Sequence, residues 1–228
     1  PERDETTCLY WFRFSKTGSV RFYGQLEVAQ SFSRAVRRAG LPAVMTKGFH
    51  PHVKLSFLEA LPVGLESQVE EAYLSTYQRL EAGEVLARLN GQLPDGLRIE
   101  EVIPVERPYP RARNRRATYV VSQLIPWRVH RIMQSWSRRL GEPLCKKTKR
   151  GETRAALGAV LLGVRQLDES SMELDLYEGP QINFRPMAIL SRLLEEPLSA
   201  VSICRICKTA VVPIAGLEEE GHVLRAHH

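Results

Sequence analysis

Short segments of alternating or periodic hydrophobicity run the length of the chain. Residues 8–14 carry Leu9, Tyr10, Trp11, Phe12 and Phe14 on both parities and predict a strand, with Lys16, Thr17, Gly18 and Ser19 as the turn that ends it. Over residues 25–39, Leu26, Ala29, Phe32, Val36 and Ala39 recur at three- and four-residue steps while Arg34, Arg37 and Arg38 fall elsewhere. Gly40 and Pro42 then stop the pattern, so an amphipathic helix with a glycine C-terminal cap is expected. Extended runs follow at 43–47, 53–57 and 70–77, then a helix at 83–93 and a strand at 97–105.

The second half repeats this order. Residues 118–125 read as a strand, and 127–140 as a helix with Val129, Ile132, Met133, Trp136 and Leu140 on one face. Residues 155–167 and 171–177 read as a hairpin. Pro186 opens a helix to about 195, and 201–212 closes as a strand. The pattern predicts an α+β protein of two tandem ferredoxin-like sandwiches, each β-α-β-β-α-β. The first spans residues 6–105 and the second 118–214. Between them, 106–117 reads as a basic linker of Pro and Arg, and 215–228 is a tail.

Composition narrows the class without naming a function. With 43% hydrophobic and 25% charged residues among 228, the chain is expected to be soluble and globular, and it holds no apolar run of the about 18 residues that a spanning helix needs. Residues 1–6 lack both an initiator Met and the pattern of a signal peptide, which predicts the C-terminal part of a longer protein. Four cysteines are too few for a disulfide scaffold, so reduced thiols and a cytoplasmic location are expected.

Charge is distributed unevenly. Residues 107–150 hold thirteen lysines and arginines against one acid, Glu142, a net of +12; since the whole chain is +6, the remainder carries −6. Such a belt suits a polyanionic partner, or else a solvated face or a docking surface for an acidic protein. Within it, Arg111, Arg113, Arg115 and Arg116 lie in the predicted linker beside Tyr109 and Tyr119, and Lys146, Lys147, Lys149 and Arg150 read as a turn. Arginine beside aromatic rings is the chemistry of RNA recognition.

The densest unusual segment is residues 47–56. His50 and His52 flank Pro51 between Lys47 and Lys54, with Gly48 permitting a tight turn. The segment reads as a phosphate- or metal-contacting loop, or as a rigid exposed turn. Cys204 and Cys207 have the spacing of a zinc pair or redox dithiol, but on a strand residues three apart face opposite ways, which favours structural thiols. The isolated chain is therefore expected to hold no stoichiometric zinc and no iron–sulfur cluster. Asp168, Glu173, Asp175 and Glu178 read mostly as the wet face of a strand. The chain carries no phosphate-binding glycine loop, dinucleotide fingerprint or nucleophile elbow.

Several blocks carry a resemblance: 16–22 (Lys, Thr, Gly, Ser, Val, Arg, Phe), 34–42 ending Gly40, Leu41, Pro42, then Gly48, Phe49, His50, Pro51, His52, then 54–57, then 61–67 (Leu, Pro, Val, Gly, Leu, Glu, Ser). Together they resemble the radical SAM-linked family, also called the DUF2344 domain. The likeness is close over about residues 9–105 and looser beyond, where it rests on Phe184, Arg185 and Pro186 and on 204–209. Residues 23–27 (Tyr, Gly, Gln, Leu, Glu) depart from it, the family more often having a Ser-His-Asp type segment there.

The resemblance implies a radical SAM partner, as a separate protein or as a preceding domain. S-adenosylmethionine, an iron–sulfur cluster and, in the cobalamin-type proteins, cobalamin belong to that partner; no cofactor is expected in this chain. The leading expectation is a non-catalytic module that recognises tRNA or rRNA for modification, without a membrane. Arg13, Arg21, Arg34, Arg37, Arg38, Lys47, His50, His52 and Lys54 form one expected contact surface, and the basic belt another. An RNA-modifying enzyme with His50 or His52 as acid/base, and a protein-docking adaptor, are the alternatives.

Overall fold

A computed structural model of the chain describes residues 7–109, 114–148, 151–180, 182–201 and 204–214, with the side chains of residues 147 and 148 outside that description. The chain divides into two units, Pro1–Tyr109 and Pro110–His228. The architecture is α+β.

The first unit runs β1 (Cys8–Lys16), a short 3-10 helix (Gly18–Phe22), α1 (Gln25–Arg38), β2 (Leu55–Phe57), β3 (Glu66–Thr76), α2 (Ala82–Asn90) and β4 (Leu97–Val105). Its strands lie in the order β4, β1, β3, β2, and each neighbouring pair is antiparallel. Alternation along β1 sends Tyr10, Phe12 and Phe14 into the core and Trp11 and Arg13 to the other face. Phe32 of α1 packs on the core face, with ring centroids 5.4 Å from Phe12, 4.9 Å from Phe14 and 5.6 Å from Phe57.

The buried stripe of α1 is Val28, Ser31, Phe32, Ala35 and Val36. The expected stripe shares only Phe32 and Val36 with it, and Leu26 is 71% exposed. Both sets satisfy the helical spacing through Phe32, and packing against the phenylalanines of β1 selects one. At the start of α1, Glu27 accepts the Gly24 N–H (2.8 Å); at its end, Arg88 of α2 donates to the Ala39 and Gly40 carbonyls, each at 3.0 Å from one guanidinium nitrogen. Gly96, at φ +92°, accepts the Thr17 N–H at 2.8 Å. A Cβ there would meet the Thr17 carbonyl oxygen at 2.4 Å, so glycine closes this turn.

The second unit runs β5 (Arg115–Ser122), α3 (Pro126–Ser135) with a 3-10 extension (Trp136–Arg139), β6 (Pro143–Thr148), β7 (Gly151–Ala156), β8 (Leu161–Gln166), β9 (Met172–Glu178), α4 (Pro186–Leu194), α5 (Leu198–Val201) and β10 (Arg205–Pro213). The order β10, β5, β9, β8 is again antiparallel throughout, and β6 and β7 pair separately. Apart from that inserted hairpin, the unit has the strand order of the first. Its core gathers Val121, Val129, Ile132, Leu174, Leu176, Ile189, Leu193 and Ile206, all buried.

Three expectations for local structure are corrected. Arg115, Arg116 and Ala117 belong to β5 rather than to a linker, paired in register with Glu178, Tyr177 and Leu176. Residues 155–167 are not one strand: β7 ends at Ala156 and β8 begins at Leu161. Lys146 and Lys147 lie in β6 rather than in a turn. Lys149 and Arg150 are outside the described residues, as are Arg111 and Arg113. Among the described residues, no helix is long and apolar enough to cross a membrane.

Candidate nucleic-acid interface

Residues 44–54 form a β-hairpin that projects from the end of β3. Its base is fixed by backbone hydrogen bonds: Val44 N–H to the Ser75 carbonyl (2.8 Å), Lys54 N–H to the Val44 carbonyl (2.8 Å) and Thr46 N–H to the His52 carbonyl (2.7 Å). Met45 and Val53 pair across it. The Thr46 hydroxyl accepts the His52 N–H and lies 3.1 Å from His52 Nδ1, which also lies 3.1 Å from the His50 carbonyl. Gly48 turns the tip at φ +131°. Lys47, Phe49, His50, His52 and Lys54 are all exposed, and Phe49 is fully so.

Phe49 falls outside the contact residues expected from the sequence, all of which are ionisable. A phenylalanine in a turn next to glycine has no core to enter, and that was its available signal. The hairpin therefore offers a solvated aromatic ring between cations.

The other expected contact residues do not join it on one surface. Arg13 lies on the sheet face opposite α1 and is 3.3 Å from Glu101. Arg34, Arg37 and Arg38 are exposed on α1, which covers the other face; Arg38 donates to the Gln92 carbonyl and Arg34 is 3.4 Å from Ser31 Oγ. Arg21 is partly buried over the Phe22 ring and 3.9 Å from Glu66. Glu66 also accepts the Gly18 N–H (2.7 Å), and Gly64 N–H donates to the Arg21 carbonyl (2.8 Å). Thus the blocks at 16–22 and 61–67 hold each other in place. Lys16, on the core parity of β1, is 2% exposed and donates to the Tyr23 carbonyl at 2.7 Å. Burial lowers its pKa, while Glu70 and Glu27 pull it back up.

Among the described residues, part of the basic belt is paired with acids of the second unit. Arg128 forks onto Glu196, Arg131 meets Glu195 (2.7 Å), and Arg139 meets Glu142 (2.8 Å) and Glu195 (3.1 Å). Arg192 reaches the same Glu142 at 2.8 Å. Arg139 holds the Glu142 carboxyl below its usual pKa, first through their hydrogen bond. Lys146 donates to the Asn183 carbonyl (3.0 Å), and Arg116 is exposed on β5. Glu195 and Glu196 lie far from Arg128, Arg131 and Arg139 in sequence, and the end of α4 delivers them to α3.

Glu178 is corrected outright. It shares the parity of Met172, Leu174 and Leu176 and is buried, with Arg115 at 3.0 Å, Lys208 at 3.3 Å and the Tyr119 hydroxyl at 2.6 Å. Asp175 and Glu173 face outward from the same strand, where Thr118 donates to Asp175 and Arg165 pairs with Glu173.

Among the described residues, no three His, Cys, Asp or Glu side chains converge as metal ligands. Cys204 is a buried free thiol just before β10; burial raises its pKa, against the pull of Arg128. Native protein at pH 8 is therefore expected to lose the exposed Cys145 thiol to iodoacetamide well before Cys204, as followed by mass spectrometry over time. Equal native rates would contradict the buried thiol.

A pocket of about 260 Å³ opens on the outer sheet face beside Lys54, between Ser56, Tyr73, Ser75, Glu106 and Pro108. Tyr73 Oη accepts the Tyr109 N–H at 2.9 Å, and burial pushes the phenol pKa up.

This two-unit chain, with the motif-bearing hairpin and the interlocked 16–22 and 61–67 blocks in its first unit, matches a family over residues 10–186. It belongs to DUF2344, uncharacterized proteins conserved in bacteria. No curated protein matches the chain. Among solved structures, it is similar to the CRISPR endoribonuclease Cse3 bound to 19 nt RNA, at 14% identity over 90% of this chain and 100% of that one. The TM-score of 0.24 is too low for that likeness to carry any argument.

Proposed function

We propose that this chain is an RNA-binding module that presents tRNA or rRNA to a radical SAM partner, and that its two units are tandem ferredoxin-like sandwiches. The strand order shared by the units supports the fold reading, since each β-α-β-β-α-β succession lies as fourth, first, third, second. One observation carries the function: a braced hairpin holds Phe49 fully exposed near its tip, with exposed Lys47, His50 and His52 beside it in sequence and exposed Lys54 at the hairpin base. An aromatic face stacks on an unpaired base while neighbouring cations meet its phosphates. In this reading Lys47 and Lys54 supply charge, Phe49 supplies stacking, and the paired Arg128, Arg131 and Arg139 serve mainly the second unit's own stability. The radical SAM partnership rests on the motif blocks at 16–22, 48–52 and 61–67.

Phe49→Ala is expected to weaken binding of a fluorescent tRNA by about 5- to 150-fold, the effect of losing one base–aromatic stack. Because Phe49 buries nothing, the variant should melt with the wild type. Unchanged tRNA affinity in the folded variant would remove the hairpin tip from the interface.

A further inference from the structure

We infer, resting on the RNA reading above, that the pocket beside Lys54 receives one unstacked RNA base, guanine by preference and uracil least. At about 260 Å³ the pocket falls just below the range of about 300–1,000 Å³ for drug-sized ligands, so it suits a single ring system. It lies on the face of the first unit's sheet opposite α1: Tyr73 and Ser75 stand in register with Trp11 and Leu9, the parity opposite to the core residues Tyr10 and Phe12 that α1 covers. Tyr73 and Pro108 supply flat, apolar walls.

Polar groups set the base. Glu106 is exposed and, ionised, can only accept hydrogen bonds. The Watson–Crick edge of guanine places two N–H donors side by side, matching the two carboxylate oxygens. Uracil offers one N–H between two carbonyls, which a carboxylate repels. Ser56 and Ser75 can donate or accept, and the Tyr73 hydroxyl accepts the Tyr109 N–H and keeps its own proton to donate, its pKa being raised.

Lys54 joins this pocket to the hairpin. Its N–H donates to Val44 and its carbonyl accepts from Ser75 (3.3 Å), so its backbone is fixed at the pocket rim and at the hairpin base together. A strand whose base stacks on Phe49 would pass its phosphates over Lys54 and turn a neighbouring base into the pocket. Base readout then follows from Glu106, and positioning from the cations.

The test is fluorescence anisotropy of the full chain with the labelled heptamers rUUUGUUU and rUUUUUUU. The guanine heptamer is expected to bind about tenfold more tightly, the effect of one good bidentate contact. Glu106→Gln should bring the two affinities together, and circular dichroism checks that the variant is folded. Equal affinities in the wild type, or a guanine preference that survives Glu106→Gln, would overturn the base pocket and leave the RNA reading standing. Failure of both heptamers and of tRNA to bind would overturn the RNA reading and the pocket with it.

Discussion

Replacing Glu178 by Ala is expected to destabilise the protein by about 3–5 kcal/mol, the cost of breaking a buried ion pair from one side. Three donors meet this carboxylate: Arg115, Lys208 and the Tyr119 hydroxyl. Lys208 is nearly inaccessible, with its side chain 4% exposed, and Arg115 little more so at 13%. Water cannot readily replace the lost acceptor. Glu173→Ala on the same strand removes a partner of Arg165, whose side chain is 69% exposed, and an exposed pair is worth about 0–1 kcal/mol. Urea unfolding of the two variants measures the contrast. A Glu178→Ala midpoint as close to wild type as that of Glu173→Ala would show that the buried network contributes little.

Phe32→Ala should be comparably severe, at about 3–5 kcal/mol, because it removes the ring that joins Phe12, Phe14 and Phe57 and leaves a cavity between α1 and the sheet. Leu26→Ala, six residues earlier on the same helix, should change stability by no more than about 0.5 kcal/mol, since its side chain faces solvent. Equal costs for the two would place the buried stripe of α1 where periodicity alone had put it.

That contrast locates the limit of sequence reading in this chain. Spacing identified α1 and both strand successions, because amphipathic periodicity is a local property. The rotation of α1 depended on the phenylalanines of β1, which are distant in sequence. Lys146 and Lys147 suggested a turn through their charge, yet a strand with an exposed face accommodates lysine, and so the β6–β7 hairpin went unread. Glu178 was legible through its even parity with Met172, Leu174 and Leu176, but acidic character outweighed parity. For the arginines, linear charge could not anticipate that the end of α4 would bring Glu195 and Glu196 to Arg128, Arg131 and Arg139. The hairpin site was half visible: its histidines and lysines drew notice, and its exposed ring did not.

A salt titration of fluorescent tRNA binding tests the central claim most directly. Each phosphate met by a cation releases counterions and contributes a log–log slope of about −0.7 on a single strand. Wild-type affinity should therefore fall steeply with KCl. The double variant Lys47→Glu, Lys54→Glu should flatten the slope by about 1.4, the value for two lost contacts. Phe49→Ala should lower affinity at every salt concentration without altering the slope, since stacking releases no counterions. A wild-type chain that binds tRNA without salt dependence, or a folded double variant whose slope is unchanged, would contradict the account.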